Sequence, residues 1–394
     1  MISFDYFFRI SLNYLKYLTV RIIEFPFYVK YSLFSIKNYP TDFKKIALIC
    51  TKPSGIGDLI MDTPFIKTIR NYFRHSEIHL ITDKDVFDKV SELDRIILLK
   101  TTGVLTQIKE FFKLRKRIKY DLGVVMNRGV NQTIYLEILN PKFKIGYLAG
   151  WRILANFKLK KTNLSFTKKE HYWNMALKIA KSLGVKKLEQ ELIEVDFSKK
   201  IKQKVKDFVR MLKLDKNKKT LVINPFAKWK TRMWKEDNYI KLIEDVHKNF
   251  NIILYGGHDA QKSVEYILKR LNKKKIHIKS VAGRLNLKEA VYFLKFADLF
   301  ITSDTGPMHF AFLMRTPTLA LFGPVNPYHR LPKGFKKIGI YDYLWFQDFK
   351  PIKRLYNYEF EYINPQLNWL EAIPVEAVEN KIFNFFERNY QFAL

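Results

Sequence analysis

The residues best suited to chemistry lie in one stretch, from Asp298 to Pro324. Leu299 to Thr302 is a short apolar run that predicts a buried strand. Asp304-Thr305-Gly306 predicts a turn, and Pro307 stands in the first turn of a helix, where proline is tolerated. Met308 to Met314 continue that helix. Thr318 to Phe322 predict a second buried strand, closed by Gly323-Pro324. A helix that starts just past a parallel strand points its free N–H groups and positive dipole end into the crevice above the sheet. Open α/β sheets bind phosphorylated ligands there. Thr305 adds a hydroxyl donor, and Gly306 lets the backbone approach a phosphate. The plainer alternative is an ordinary capped helix with Asp304 as the cap. His309, on the same helix, is either a ligand contact or a satisfied core histidine.

The elements that must position this stretch follow from the rest of the chain. Its 394 residues suffice for two domains with cores, and the hydrophobic content of 47% is that of a folded protein. The single cysteine, Cys50, excludes a disulfide framework and sits in an apolar strand pattern. No secretory signal with a small-residue cleavage site is visible, which predicts a cytoplasmic body. The net charge of +32 favours anionic partners: nucleic acid, an anionic membrane or a phosphorylated acceptor. The lysines are scattered, and no zinc-finger, RNP or helix-turn-helix signature occurs, so nucleic acid is not expected.

Residues 1–44 differ from the remainder. They mix aromatic and aliphatic residues with Arg9, Lys16, Arg21 and Lys30. The apolar runs between these charges are too short to span a bilayer. Such a mixture fits a segment lying in a membrane interface; the alternative is a helix packed on the protein's own surface. From Lys45 strand and helix patterns alternate. Ile46 to Cys50, Glu77 to Thr82, Arg95 to Leu99, Asp121 to Met126 and Lys144 to Leu148 read as strands. Leu59 to Phe73, with Pro64 early in it, and Val104 to Ile118 read as helices. Alternation of this kind implies βαβ units and a parallel sheet. A Lys-rich helical pattern, Ser198 to Lys219, marks a boundary. Strands at Thr220 to Asn224, Ile252 to Tyr255 and Ile276 to Val281 then alternate with helices at Glu236 to Asn249, Ala260 to Leu271 and Lys288 to Phe296. The expected division is an extension (1–44), a first domain (45–205), a second domain (206–374) and a final helix (375–394), with 351–367 irregular.

Four motifs, in order, narrow the function. They are Gly55-Ile-Gly-Asp58 after the first strand, Pro64 in the following helix, Arg232-Met-Trp234, and Asp304-Thr-Gly-Pro-Met-His309 with Phe322-Gly-Pro324. Together they resemble glycosyltransferase family 9, the ADP-heptose:lipopolysaccharide heptosyltransferases, over residues 45–330 and more weakly at the final helix. The resemblance implies the GT-B fold, two Rossmann-like doubly wound α/β domains facing a cleft. It also implies an inverting reaction without a metal or other cofactor. The second domain would bind the nucleotide sugar and the first a lipid-linked acceptor. By this resemblance Asp58 matches the general base, and Ser54, Gly55 and Gly57 form its acceptor-side turn. Asp304, Thr305 and Gly306 match the segment that cradles the donor diphosphate, and His309 matches a histidine on the same helix. Arg232 falls where the family has lysine, with Lys228 and Lys230 as further cations. Gly256, Gly257 and Gly283 match loops lining the nucleotide cleft. The long N-terminal extension departs from the family, whose members begin near the first strand.

The residue types suit that chemistry. Inversion needs one base for the acceptor hydroxyl proton, and a helix N-terminus with Arg or Lys can stabilise a leaving diphosphate. The implied partners are a nucleotide-sugar donor, a lipid-linked anionic saccharide and the cytoplasmic face of a bacterial inner membrane, with peripheral attachment. Rival readings remain. A UDP- or GDP-sugar transferase would share the fold, and a membrane-surface protein could retain it without catalysis. A dinucleotide-dependent dehydrogenase fits poorly, because Ile60 stands where its third glycine is needed. A phosphate-loop ATPase would need Gly-Lys-Ser/Thr. Trp234 reads as a packing residue and His258 as a loop residue.

Overall fold

A computed structural model describes residues 4–33, 39–52, 54–100, 103–126, 129–148, 153–155, 160–161, 171, 174–332, 339, 341–348 and 369–391. The side chains of residues 1–14 and the segment 351–367 lie outside the described residues. The chain divides into two compact units, 1–85 with 90–194 and 86–89 with 195–394.

The first part of the chain runs α1 (Phe4–Leu33), β1 (Lys45–Cys50), α2 (Ile56–Met61), α3 (Thr63–Tyr72), β2 (Glu77–Thr82), β3 (Lys89–Val90), β4 (Arg95–Leu98), α4 (Val104–Arg117), β5 (Leu122–Val125), α5 (Val130–Leu139), β6 (Phe143–Leu148), β7 (Ile153–Ala155), β8 (Lys160–Lys161) and α6 (Asn174–Ser182). Its sheet has the order β4-β2-β1-β5-β6-β7-β8. It is parallel from β4 to β6, and β7 and β8 add antiparallel. β1 is buried throughout after its first residue, as a strand covered by helices on both faces must be. Ala47, Ile49, Ile81, Phe111, Tyr135 and Leu136 pack one of those faces.

One expected helix is two. The Leu59–Phe73 pattern starts earlier, at Ile56, and breaks at Asp62, whose φ of −87° and ψ of 0° end α2. Pro64 forces the break. Inside a continuous helix it could not donate to the Ile60 carbonyl, and its ring would collide with that carbonyl. Thr63 supplies the missing donor, its hydroxyl lying 2.8 Å from Ile60 O.

The second part runs β9 (Val195–Asp196), which pairs with β3, then α7 (Lys199–Met211), β10 (Lys219–Asn224), α8 (Glu236–Val246), β11 (Phe250–Leu254), α9 (Gln261–Lys273), β12 (Lys279–Ser280), α10 (Leu287–Phe293), β13 (Leu299–Ser303), α11 (Gly306–Leu313), β14 (Thr318–Phe322), β15 (Tyr341–Trp345) and α12 (Val375–Gln391). The six-stranded sheet β12-β11-β10-β13-β14-β15 is parallel throughout. This is the doubly wound order 3-2-1-4-5-6, whose direction reverses between β10 and β13. The expected strand at 276–281 contracts to Lys279–Ser280, an edge strand paired on one side only. Val378, Ile382 and Phe386 of α12 enter the same core as Leu221, Ile301 and Leu321, so the final helix is built into this unit.

Candidate active site

In each sheet the expected site residues gather at the carboxyl ends of the strands, beside the point where the strand order reverses. Ligand crevices form there in this architecture. In the first unit that point lies between β1 and β5. Thr51, at the end of β1, begins the loop to α2. The Ser54 N–H donates to Thr51 O at 3.2 Å, and Ser54 is buried. Asp58 is the third residue of α2 and half-buried. Its Oδ2 accepts the N–H of Gly55 at 2.7 Å, which fixes how the carboxylate is presented. Asp58 therefore lies inside the first turn of its helix, not ahead of it. Gly55 is exposed and Gly57 half-buried.

Two residues that the sequence did not single out hold this loop. Gln132 of α5 is fully buried, and its Nε2 donates to Thr51 O at 2.9 Å and to Ser54 Oγ at 3.1 Å. Asp83, just past β2, accepts the N–H of Lys52 at 3.2 Å and Gln107 Nε2 at 3.4 Å, and pairs with Lys84 Nζ at 2.5 Å. Both hold the loop that leads to Asp58. The signal available in the sequence was weak: Gln132 is a single polar residue at a position of α5 that a helix period assigns to the core, as is Gln107, the partner of Asp83, on α4.

In the second unit the reversal lies between β10 and β13. Asn224 ends β10 and is buried. Its Nδ2 donates to Phe226 O at 3.0 Å, Thr302 Oγ1 at 3.1 Å and Thr305 Oγ1 at 3.4 Å. Asn224 thus ties the two sides of the crevice together. Thr305, not Asp304, is the N-cap of α11, and its side chain makes no capping hydrogen bond. Pro307 follows in the first turn, as expected.

The Asp304 carboxylate has a different task from capping. It is 3% exposed, with Arg232 Nη1 at 3.1 Å and Arg330 Nε at 3.9 Å from Oδ2. Arg232 Nη1 also donates to Asp304 O at 3.3 Å. Burial opposes ionisation of Asp304, but the charges of Arg232 and Arg330 prevail and hold its carboxyl below the usual carboxylate range. Among the described residues, two guanidiniums thus face one carboxylate beside the N-terminus of α11. Arg330 is itself buried, and the sequence reading missed it; it stands 26 residues after Asp304 in a segment without periodicity. His309 is buried one turn into α11, edge-on to Phe312. Burial pushes its pKa down to about 3, against the pull of Asp304, so its ring is neutral at physiological pH.

The remaining expected residues divide into two groups. Gly283 has a φ of +70°, and its N–H donates to Gly256 O at 3.0 Å, so the loops after β11 and β12 are joined. A Cβ on Gly256 would stand 2.4 Å from Ala260 Cβ, so this turn needs glycine for packing. Gly306 is the opposite case. The nearest atom to a Cβ there is Phe310 Cζ at 4.0 Å, so neither packing nor backbone conformation within the protein demands glycine. Lys228, Lys230, Gly257 and His258 are exposed. Trp234 is fully buried, donates Nε1–H to Ile373 O at 3.0 Å and packs edge-on to Tyr239, as a core residue.

Thr231 Oγ1, next in the chain to Arg232, is buried without a hydrogen-bond partner among the described residues. A buried polar atom of that kind calls for an explanation, and a bound polar ligand is one. No group of three or more His, Cys, Asp or Glu side chains suited to a metal ion occurs among the described residues.

The profile of glycosyltransferase family 9 (heptosyltransferase) matches residues 109–350, more than half of the chain. The chain belongs to glycosyltransferase family 9. Its relatives fit that assignment. Lipooligosaccharide heptosyltransferase 2 of Campylobacter jejuni is 26% identical over 281 residues, which cover 70% of this chain and 80% of the relative. Among solved structures, a family 9 glycosyltransferase from Veillonella parvula superposes with a TM-score of 0.72 at 17% identity, covering 90% of this chain and all of the other. The ADP-heptose lipopolysaccharide heptosyltransferase II of Escherichia coli gives 0.65 at 18% identity, covering 88% and 99%. The fold is therefore that of the family 9 heptosyltransferases, GT-B, and the protein is a glycosyltransferase of the lipopolysaccharide heptosyltransferase family.

Proposed function

We propose that this family 9 enzyme moves a heptose from ADP-heptose to a lipid-linked saccharide of the lipopolysaccharide core, with inversion at the anomeric carbon and without a metal. One observation carries the donor half of this reading. At the N-terminus of α11 an uncapped helix start, a glycine that no internal contact requires, and the Arg232–Asp304–Arg330 cluster occur together. A diphosphate fits all three features: N–H groups to donate to its oxygens, room at Gly306, and two guanidiniums beside it.

In the proposed reaction Asp58 accepts the proton of the acceptor hydroxyl while that oxygen bonds to the anomeric carbon from the face opposite the diphosphate. The bond from the anomeric carbon to the β-phosphate oxygen breaks, and ADP leaves with the electron pair. Positive groups at α11 and Arg232 stabilise the charge that develops on the leaving oxygen. Asp304 does not suit the role of base, because two arginines already neutralise its carboxylate. His309, neutral and buried, serves as a hydrogen-bonding group and not as a cation. Lys228 and Lys230, exposed on the loop before Arg232, are available to the donor phosphates. Gly256, Gly257 and Gly283 line the nucleotide side. Work on a lipid-linked acceptor sets the enzyme at the cytoplasmic face of the inner membrane, held peripherally.

Thermal unfolding with ADP, UDP, GDP and CMP tests the donor. A ligand that binds only the folded state adds about 2.7 kcal/mol at one hundred times its Kd. ADP is expected to raise the melting temperature most. Protection by UDP or GDP in place of ADP would overturn the heptose donor, and protection by no nucleotide would overturn the transferase site.

A further inference from the structure

Helix α1 carries an order of side chains that its own unit does not use. Its last turns are docked. Tyr31 is buried against Leu148 with Phe27 and Tyr28 beside it. Glu137 of α5 collects Lys30 Nζ at 2.6 Å, Lys144 Nζ at 2.8 Å and the Tyr31 hydroxyl. Glu24, seven residues before Tyr31 and so on the same side of the helix, is also buried. Burial opposes ionisation of Glu137, but Lys144, Lys30 and Tyr31 prevail and hold its carboxyl below the usual range.

The opposite face is apolar and exposed. Leu15, Ile22 and Val29 recur every seven residues and Leu33 follows four later, which at about 100° per residue puts them on one line along the helix. Leu15 is 60%, Ile22 72% and Leu33 70% exposed. Arg21 and Lys30 flank the line on its two sides, and the only acidic residue from 15 to 33 is the buried Glu24. Helix α4, which also packs on α5, repeats the pattern. Phe111 of α4 stacks on Tyr135 of α5, while on the outer face of α4 the exposed Leu105 and Phe112 alternate with Lys109, Lys113 and Lys116. Two helices packed on α5 thus present aliphatic and aromatic side chains among cations.

We propose that α1 lies in the interfacial layer of an anionic lipid bilayer, with its Leu15–Ile22–Val29–Leu33 line among the acyl chains and Arg21 at the lipid phosphates. This deepens the reading of a lipid-linked acceptor and rests on it: the helix would hold the enzyme where that acceptor is. A spanning orientation does not fit, since Arg21, Glu24, Pro26 and Lys30 interrupt the helix, and no helix among the described residues is long and apolar enough to cross a membrane. A second copy of the chain is the other possible cover for such a line. Pairing would bring the cationic flanks of two chains, each of net charge +32, against one another, whereas an anionic surface complements them.

Flotation of the full-length protein with vesicles tests this. The wild type is expected to float with phosphatidylglycerol–phosphatidylcholine vesicles, less so at high salt, and weakly with phosphatidylcholine alone. Ile22→Glu combined with Val29→Glu should weaken flotation by about tenfold or more, while the ADP thermal shift and transfer to a short delipidated acceptor stay unchanged. Ile22→Leu with Val29→Leu should float like the wild type. Undiminished flotation of the double Glu variant, or no flotation of the wild type, would overturn the proposal. So would a wild-type dimer in light scattering that the double Glu variant converts to monomer without any lipid binding. The ADP shift separates the two claims: its loss in the wild type indicts the donor site, whatever the vesicles show.

Discussion

Asp304→Asn removes one negative charge from a largely buried cluster. In the wild type its Oδ2 faces Arg232 at 3.1 Å and Arg330 at 3.9 Å, and Arg330 is only 6% exposed. Asparagine keeps the shape but takes away the carboxylate that Arg232 and Arg330 face. Breaking such a buried pair costs about 3–5 kcal/mol. Asparagine retains an oxygen that accepts from a guanidinium, so the low end, about 3 kcal/mol, is expected. For a unit of about 200 residues this lowers the melting temperature by roughly 6–12 °C. The pH dependence has a definite sign. The folded-state pKa of Asp304 is depressed, so its contribution is fully present above the unfolded carboxylate value of about 3.9 and is lost as pH falls through the folded value. Calorimetry should show the full difference between wild type and variant at pH 7, closing only below about pH 4. ADP should protect the variant at least as well as the wild type, because the Asp304 carboxylate no longer competes for the guanidiniums. An unchanged melting temperature at pH 7 would refute the assignment of Asp304 as the counter-ion of this cluster.

Gly306→Ala should leave stability within about 0.5 kcal/mol of the wild type, since a Cβ meets nothing closer than 4.0 Å there, yet weaken ADP binding by about tenfold or more in calorimetric titration. Equal affinity would remove the close phosphate approach. His309 has a folded value of about 3 against about 6.5 unfolded, so unfolding takes up a proton between those values and stability falls as pH drops through that window. His309→Gln should flatten the slope of stability against pH there by one proton, about 1.4 kcal/mol per pH unit; an identical slope in both proteins would contradict a neutral buried His309.

Much of the fold was legible because fully covered parallel strands are continuous apolar runs. Leu299 to Thr302, Thr318 to Phe322 and Ile46 to Cys50 announce themselves in this way, and Pro307 marks the start of the helix between the first two. What the sequence concealed has physical reasons. The break at Asp62 depends on which carbonyl Pro64 would strike, and the helix start at Ile56 depends on a hydrogen bond from Gly55 to Asp58; neither alters the apolar period. β15, Tyr-Asp-Tyr-Leu-Trp, is an edge strand with a mixed pattern. Arg330 and Gln132 reach the site through tertiary contacts, and a buried arginine or glutamine reads in sequence like any surface one. Asp304 was found by its turn, but its arginine partners, and hence its role as counter-ion, needed the fold.

Asp58→Asn tests most directly whether Asp58 takes the proton of the acceptor hydroxyl. Asparagine preserves an oxygen for the Gly55 N–H, now 2.7 Å from Oδ2, so the start of α2 should survive. It cannot accept the proton. Transfer from ADP-heptose should fall by roughly 10²–10⁴-fold, with ADP affinity and melting temperature close to those of the wild type. Near-normal turnover in a folded Asp58→Asn protein would contradict the claim and move the search for the base to Asp62, the next carboxylate along the chain.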